Sequence, residues 1–164
     1  MAYFNGNLTS LSLRFNELFT IWTHLTLNNG YITANHSFYK HALDKDLRAI
    51  IVEFIEVLKD GNKQLEQLLT ENHIAIPPMP RENLTMQLRD IRGVKKVNDT
   101  DISAVLSMNI ASALIASTQA MEASTQTNLT KLFGQFHMKN AILGAKLIQL
   151  SKDKGWLPVP TTIS

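Results

Sequence analysis

At 164 residues, with 45% hydrophobic and 18% charged residues, the chain has the length of one domain and enough apolar side chains to build a core. Sixteen basic residues against fourteen acidic ones leave a formal charge of +2, too small to imply a nucleic-acid partner. The absence of cysteine excludes disulfides, thiolate catalysis and zinc–thiolate centres.

The charged fraction lies below the usual quarter of a globular protein, so a neutral surface rich in hydroxyl and amide groups is expected. Met1 to Ser12 lacks the basic start, apolar run and small-residue cleavage site of a secretory leader. No stretch of about eighteen uninterrupted apolar residues appears, which argues against a membrane span and for a cytoplasmic protein.

In chain order, a first helix is expected over about 10–42. Leu11, Phe15, Leu18, Trp22, Leu25, Asn29, Ile32, His36, Tyr39 and Leu43 alternate four and three residues apart, as on a bundle seam. It would be about 50 Å long, with Asn29-Gly30 as the point for a bend. Asp44 can cap a second helix over about 45–72, built on Leu47, Ile51, Phe54, Leu58, Gly61, Leu65 and Leu68. The short turn between them makes the two antiparallel neighbours.

The periodicity fails over about 74–99. Ile76-Pro77-Pro78-Met79-Pro80 cannot be helical, and Arg92-Gly93-Val94-Lys95-Lys96 carries no apolar stripe. Roughly 25 extended residues reach about 80 Å, against roughly 40 Å for a bundle helix, so this connector can return the chain to the other end. A short helix near Asn83 to Asp90 can interrupt it. A third helix follows over about 100–124, capped by Asn98 or Thr100 and dominated by Ala, Ser, Ile, Leu and Met. The fourth, about 127–154, carries Leu129, Phe133, Phe136, Asn140, Leu143, Leu147 and Leu150 on its seam. Gly155 stops it, and Trp156-Leu157-Pro158-Val159-Pro160 forms an extended tail. The expected fold is all-α: one four-helix bundle over residues 1–164, ferritin-like, with a long crossover between helices 2 and 3.

A carboxylate-bridged di-iron site on such a scaffold needs inward Glu residues and two Glu-x-x-His pairs. The sequence has no Glu-x-x-His. Glu53, Glu56, Asp60, Lys63 and Gln67 recur on the side of the second helix opposite its apolar seam, and Glu17 falls about 130° from the first seam, so these carboxylates are expected to face water. Of five histidines only His36 lies on a seam; His24 and His41 lie off it, His73 is at a helix end and His137 flanks the fourth seam. A hydrogen-bonded core histidine is the ordinary reading of His36, and it is also the least unlikely metal ligand in a chain where no metal and no cofactor are expected. Asn29, His36 and Asn140, with Asn109 joining from the third helix, form a polar set on the seams around Gly61. Two readings stay open: register specification, as for a core Asn in a coiled coil, or an altered ligand pocket at the bundle centre. Arg89, Arg92, Lys95 and Lys96 cluster in the connector beside Asp90 and Asp99, a solvated loop rather than a polyanion site. No Gly-x-Ser-x-Gly elbow, Walker loop or dinucleotide fingerprint occurs.

Asn16-Glu17-Leu18-Phe19-Thr20-Ile21-Trp22, the step Ile76-Pro77-Pro78, and the end Lys152-Asp153-Lys154-Gly155-Trp156-Leu157-Pro158-Val159-Pro160 carry a resemblance that spans most of the chain. In these the sequence resembles an uncharacterised family of ferritin-like bundles from endospore-forming bacteria, related to the F-type spore coat proteins. Where that resemblance implies a Glu/His-rich segment in the second helix, this chain has Asp60-Gly61-Asn62-Lys63. The resemblance implies no catalytic activity, only a connection with the spore coat or sporulation. The expectation is a non-enzymatic structural or interaction protein, cytoplasmic or in the spore coat, with protein partners or a homodimer through exposed Phe19, Ile21 and Leu27. The alternative is a ferritin-like metal- or small-ligand-binding protein using His36 and the neighbouring amides.

Overall fold

The computed structural model describes residues 13–81 and 97–157. Among them are four helices and no strand: α1 (Phe15–His41), α2 (Lys45–Glu71), α3 (Asp99–Ala123) and α4 (Thr127–Asp153). The proposed short helix near Asn83 to Asp90, the basic cluster at Arg89 to Lys96, Leu11 and the tail from Pro158 lie outside the described residues.

Local chemistry sets the helix ends. The Asp44 carboxylate accepts from the Asp46 and Leu47 amides and caps α2. Asn98 and Asp101 form a reciprocal capping box at the start of α3. At the end of α4, Gly155 takes φ +70°, while its amide bonds the Lys152 carbonyl and the Trp156 amide bonds that of Ser151. The end of α2 makes the same pair of bonds, Ile74 to Leu69 and His73 to Thr70, with His73 at φ 58°.

Contacts between distant residues fix the helix directions. The Asp99 carboxylate accepts from the Leu43 and Asp44 amides at 2.8 and 2.9 Å, so α3 begins beside the α1–α2 turn. Lys154 reaches Asp44 and Asp46 at 2.7 and 3.2 Å, which brings the end of α4 to the same place. At the opposite end the Glu17 carboxylate accepts from the Thr125 amide and hydroxyl, joining the start of α1 to the α3–α4 turn. Hence α2 and α3 run one way and α1 and α4 the other. The helices close a ring in which α1 packs on α2 and α3, and α4 packs on the same two.

Side chains of all four helices fill the interior as two apolar clusters. One, toward the α1–α2 turn, contains Ile32, Leu47, Phe54, Leu106 and Leu147; the other, toward the α3–α4 turn, contains Ile21, Leu25, Leu65, Phe133 and Phe136.

The buried side of α1 is rotated from the expected seam. Phe15, Trp22, Tyr39 and Leu43 are exposed, while Glu17, Ile21, His24, Asn28 and Asn35 turn inward. Two expectations are thereby corrected: Glu17 does not face water, being 1% exposed, and His24 does not lie off the packed side. Ile21, expected on an exposed dimer face, is fully buried, whereas Phe19 and Leu27 are exposed. The physical reason is that α1 has no Asp, Glu, Lys or Arg from Phe19 to Tyr39, so no charge marks a solvent side. On α2 the charges do mark it: Glu56, Asp60, Lys63 and Gln67 are exposed, and Glu53 pairs with Lys146 of α4.

Gly155→Ala forces an L side chain into the left-handed region and is expected to lower unfolding stability by about 1–2 kcal/mol in urea titrations.

Candidate functional site

Between the two clusters every helix carries polar groups. These are Asn28 and Asn29 on α1 between Leu25 and Ile32, Asn62 on α2 between Leu58 and Leu65, Ser117 on α3 between Ile110 and Ala120, and Asn140 on α4 between Phe136 and Leu143. Together they form a belt at mid-height, and all five are buried. Asn62 is its hub. Its Oδ1 accepts from Asn28 Nδ2 and its Nδ2 donates to Asn29 Oδ1, both at 2.8 Å. Asn29 then reaches the Pro77 carbonyl at 3.5 Å, a long bond. Ser117 and Asn140 bond backward along their own helices, to the carbonyls of Ala113 and Phe136. Asn140 Oδ1, like Asn35 Oδ1 two turns beyond Asn28, is buried without a hydrogen-bond partner.

Next to the hub, Gly61 makes room for an aromatic ring. A Cβ at this position would sit 3.3 Å from Phe136 Cε1. Phe136 stacks on the buried His24 imidazole at 6.1 Å between centroids, and Phe133 meets it edge-on at 5.1 Å. Burial among these rings pushes the His24 pKa down to about 4, so the ring is neutral at physiological pH. Glu17 keeps its charge by other means. Burial raises its pKa, but hydrogen bonds from the Arg14 and Thr125 amides and from the Thr125 and Gln126 side chains outweigh that and hold it below the ordinary 4.5.

The belt opens to solvent on one side. Residues Ile76, Pro77 and Met79 lie against α1 and α2, with Trp22 Nε1 donating to the Ala75 carbonyl at 3.1 Å. Under them is an open cleft of about 360 Å³. Asn29 and Asn62 contribute amide floor, Ile32 an apolar wall, and Lys59, Lys63 and Glu66 a charged rim.

Of the residues singled out from sequence, Asn29 and Asn140 lie in the belt, on opposite sides of it. Asn109 is half-buried, and His36 is half-buried beyond the belt, so neither is a core group. The residues that sequence reasoning missed are Asn28, Asn62, Ser117 and His24. Asn62 carried a signal: it adjoins Gly61 on the α2 seam and stands where Leu58 and Leu65 bracket it. Among the described residues no three His, Asp or Glu side chains gather as a metal site.

The family model for a protein of unknown function, DUF3231, matches residues 1–163. The chain belongs to the DUF3231 family. It is 32% identical over 160 residues to the uncharacterized protein YvdQ of Bacillus subtilis (strain 168), covering 98% of this chain and 94% of that protein. A crystal structure of a "putative spore coat protein" from Bacillus halodurans C-125 superposes with a TM-score of 0.83 at 38% identity, covering 96% of this chain and 99% of that one.

The magnitudes say what the belt does for stability. A buried Leu contributes roughly 1.5–3 kcal/mol, and a satisfied amide hydrogen bond roughly 1. The belt therefore adds less stability than a leucine layer would, and it fixes which residues of α1 and α2 stand opposite. Asn62→Ala strands Asn28 and Asn29 and is expected to cost roughly 2–4 kcal/mol, whereas Asn140→Leu removes an unpaired acceptor and is expected to be neutral or stabilising; urea unfolding measures both.

His24 also sets a pH dependence. Unfolded, its imidazole titrates near 6.5; folded, near 4, so below pH 6.5 protons favour the unfolded chain. Stability is complete above pH 6.5 and falls by roughly 3 kcal/mol as pH drops to about 4. His24→Leu should flatten the unfolding free energy across that window, and an unchanged slope would show that His24 does not produce it.

Proposed function

We propose that this protein is a non-enzymatic structural or interaction protein of the spore coat or of sporulation. The observation that carries this reading is the likeness, at 38% identity over 96% of the chain, to the "putative spore coat protein" of Bacillus halodurans C-125. The scaffold in this proposal is a ferritin-like four-helix bundle with a long crossover between α2 and α3. Two observations support it. Residues 75–77 leave α2 along α1, held first at Trp22 and then at Asn29, and so head toward the α1–α2 turn. At that turn Asp99 starts α3. The protein is made in the cytoplasm and acts through protein partners or copies of itself. In the host bacterium, mass spectrometry should find it in purified spore coats, and deletion of its gene should alter coat composition or spore resistance. Absence from coats together with normal spores would overturn the reading.

A second reading, small-ligand binding in an altered central site, is favoured by one observation: the cleft whose floor is the Asn29–Asn62 pair. Its charged rim and apolar wall suit a small amphipathic molecule rather than a metal ion held by His36. Co-purified small molecules identified by mass spectrometry from native protein, and lost in Asn29→Leu, would support it; a clean native spectrum would count against it.

A further inference from the structure

We propose that the outward side of α3 is a self-association surface on which a second copy of this chain packs. The proposal deepens the assembly reading above by naming its surface, and it rests on that reading only for its biological purpose.

From Ile102 to Met121 the chain has no charged residue, a run of twenty positions that makes up most of α3. This helix is held on its two sides by α1 and α4, and its inner side by the core, so one side remains. That side presents Val105, Met108 and Ile115, which are 42%, 68% and 59% exposed, among the small residues Ala104, Ala111 and Ser112. On α4, Met138 and Ile148 are also half-exposed. By contrast, the outward side of α2 carries Glu56, Lys59, Asp60 and Lys63.

Charge decides the occupant. A surface with one sign of charge repels its own copy, and a charged partner would be left facing apolar side chains; a surface with neither sign is complementary to itself. Small residues allow two helices to approach closely, and two-fold pairing brings each residue of the patch onto the same patch. The exposed Ser112 and Gln119 side chains both donate and accept, so they serve equally on either copy. The area also suits a dimer. Together with the adjoining side of α4, where Met138, Ile142 and Ile148 lie between Lys131 and Lys152, the face is about 37 Å long and about 20 Å wide, roughly 700 Å², near the roughly 800 Å² per partner of a stable interface.

A lipid surface fits less well. By length and composition α3 could span a membrane, yet its inner residues Ser103 and Ser117 are buried in the bundle. A helix lying on anionic lipid needs Lys or Arg at its polar edges, and α3 has only Asp99, Asp101 and Glu122.

Sedimentation equilibrium of the purified full chain is expected to give twice 18.4 kDa. Ile115→Lys and Met108→Lys, each placing two like charges on the two-fold interface, should raise the dimer dissociation constant at least about tenfold. Asp60→Lys, on the outward side of α2, should leave it unchanged. Both α3 positions are exposed, so circular dichroism should show helicity retained. A monomer at every concentration overturns the proposal, as does a dimer indifferent to both α3 substitutions. Monomeric protein that floats with phosphatidylcholine–phosphatidylglycerol vesicles and is released by Ile115→Lys would assign the surface to lipid instead, and overturns it equally. A dimer with normal spores after gene deletion would leave this surface standing and remove only the spore reading.

Discussion

The arrangement of the core turns on a single buried amide. Asn62 gives its oxygen to Asn28 and its nitrogen to Asn29, so both polar ends of one α2 side chain are spent on adjacent residues of α1. Buried amides must find partners, and sliding α2 by one turn would strand three of them among Leu58, Leu65 and Ile32. Apolar side chains tolerate such shifts far better, because leucines can repack against one another. The register of α1 on α2 therefore depends on chemistry that adds little to stability itself.

The bundle ends use charge for the same purpose. At one end Asp99 binds the amides of the α1–α2 turn, and Lys154 lies between Asp44 and Asp46, so three chain segments meet at four charged groups. Lys154 lowers the pKa of Asp44, the residue that also caps α2. At the other end Glu17 gathers hydrogen bonds from the α3–α4 turn across 108 positions of sequence. With the ends tied and the middle in register, α3 packs through its other sides and presents an uncharged side to its surroundings.

These features separate the parts of the molecule that suit assembly from those that suit ligand binding. The cleft under residues 76–79 reaches the belt from the α1–α2 side, whereas the α3 surface belongs to another helix of the ring. Membership of the DUF3231 family and the likeness to the Bacillus halodurans protein bear on the scaffold as a whole. The outward side of α3 carries no charge between Ile102 and Met121, whereas that of α2 carries Glu56, Lys59, Asp60 and Lys63.

The sequence by itself determined the four helices and most of their ends, because caps and periodicity are local. Asp44, Asn98 and Gly155 sit where their own backbone bonds require them, and the alternation on α2 and α4 picks out the buried side. It also showed that an amide on α1 and one on α4 would lie inside. Tertiary structure alone decided which side of α1 turns inward. With no charge between Phe19 and Tyr39, nothing local marks a solvent side; the seam through Trp22 is the more apolar, yet the fit of Glu17 to Thr125 and of Asn28 and Asn29 to Asn62 selects the one through Ile21. For the same reason Glu17 and His24 were placed in solvent by periodicity and are buried in the fold: a polar side chain can be buried when a distant part of the chain supplies its partner or its packing, and no local pattern encodes that.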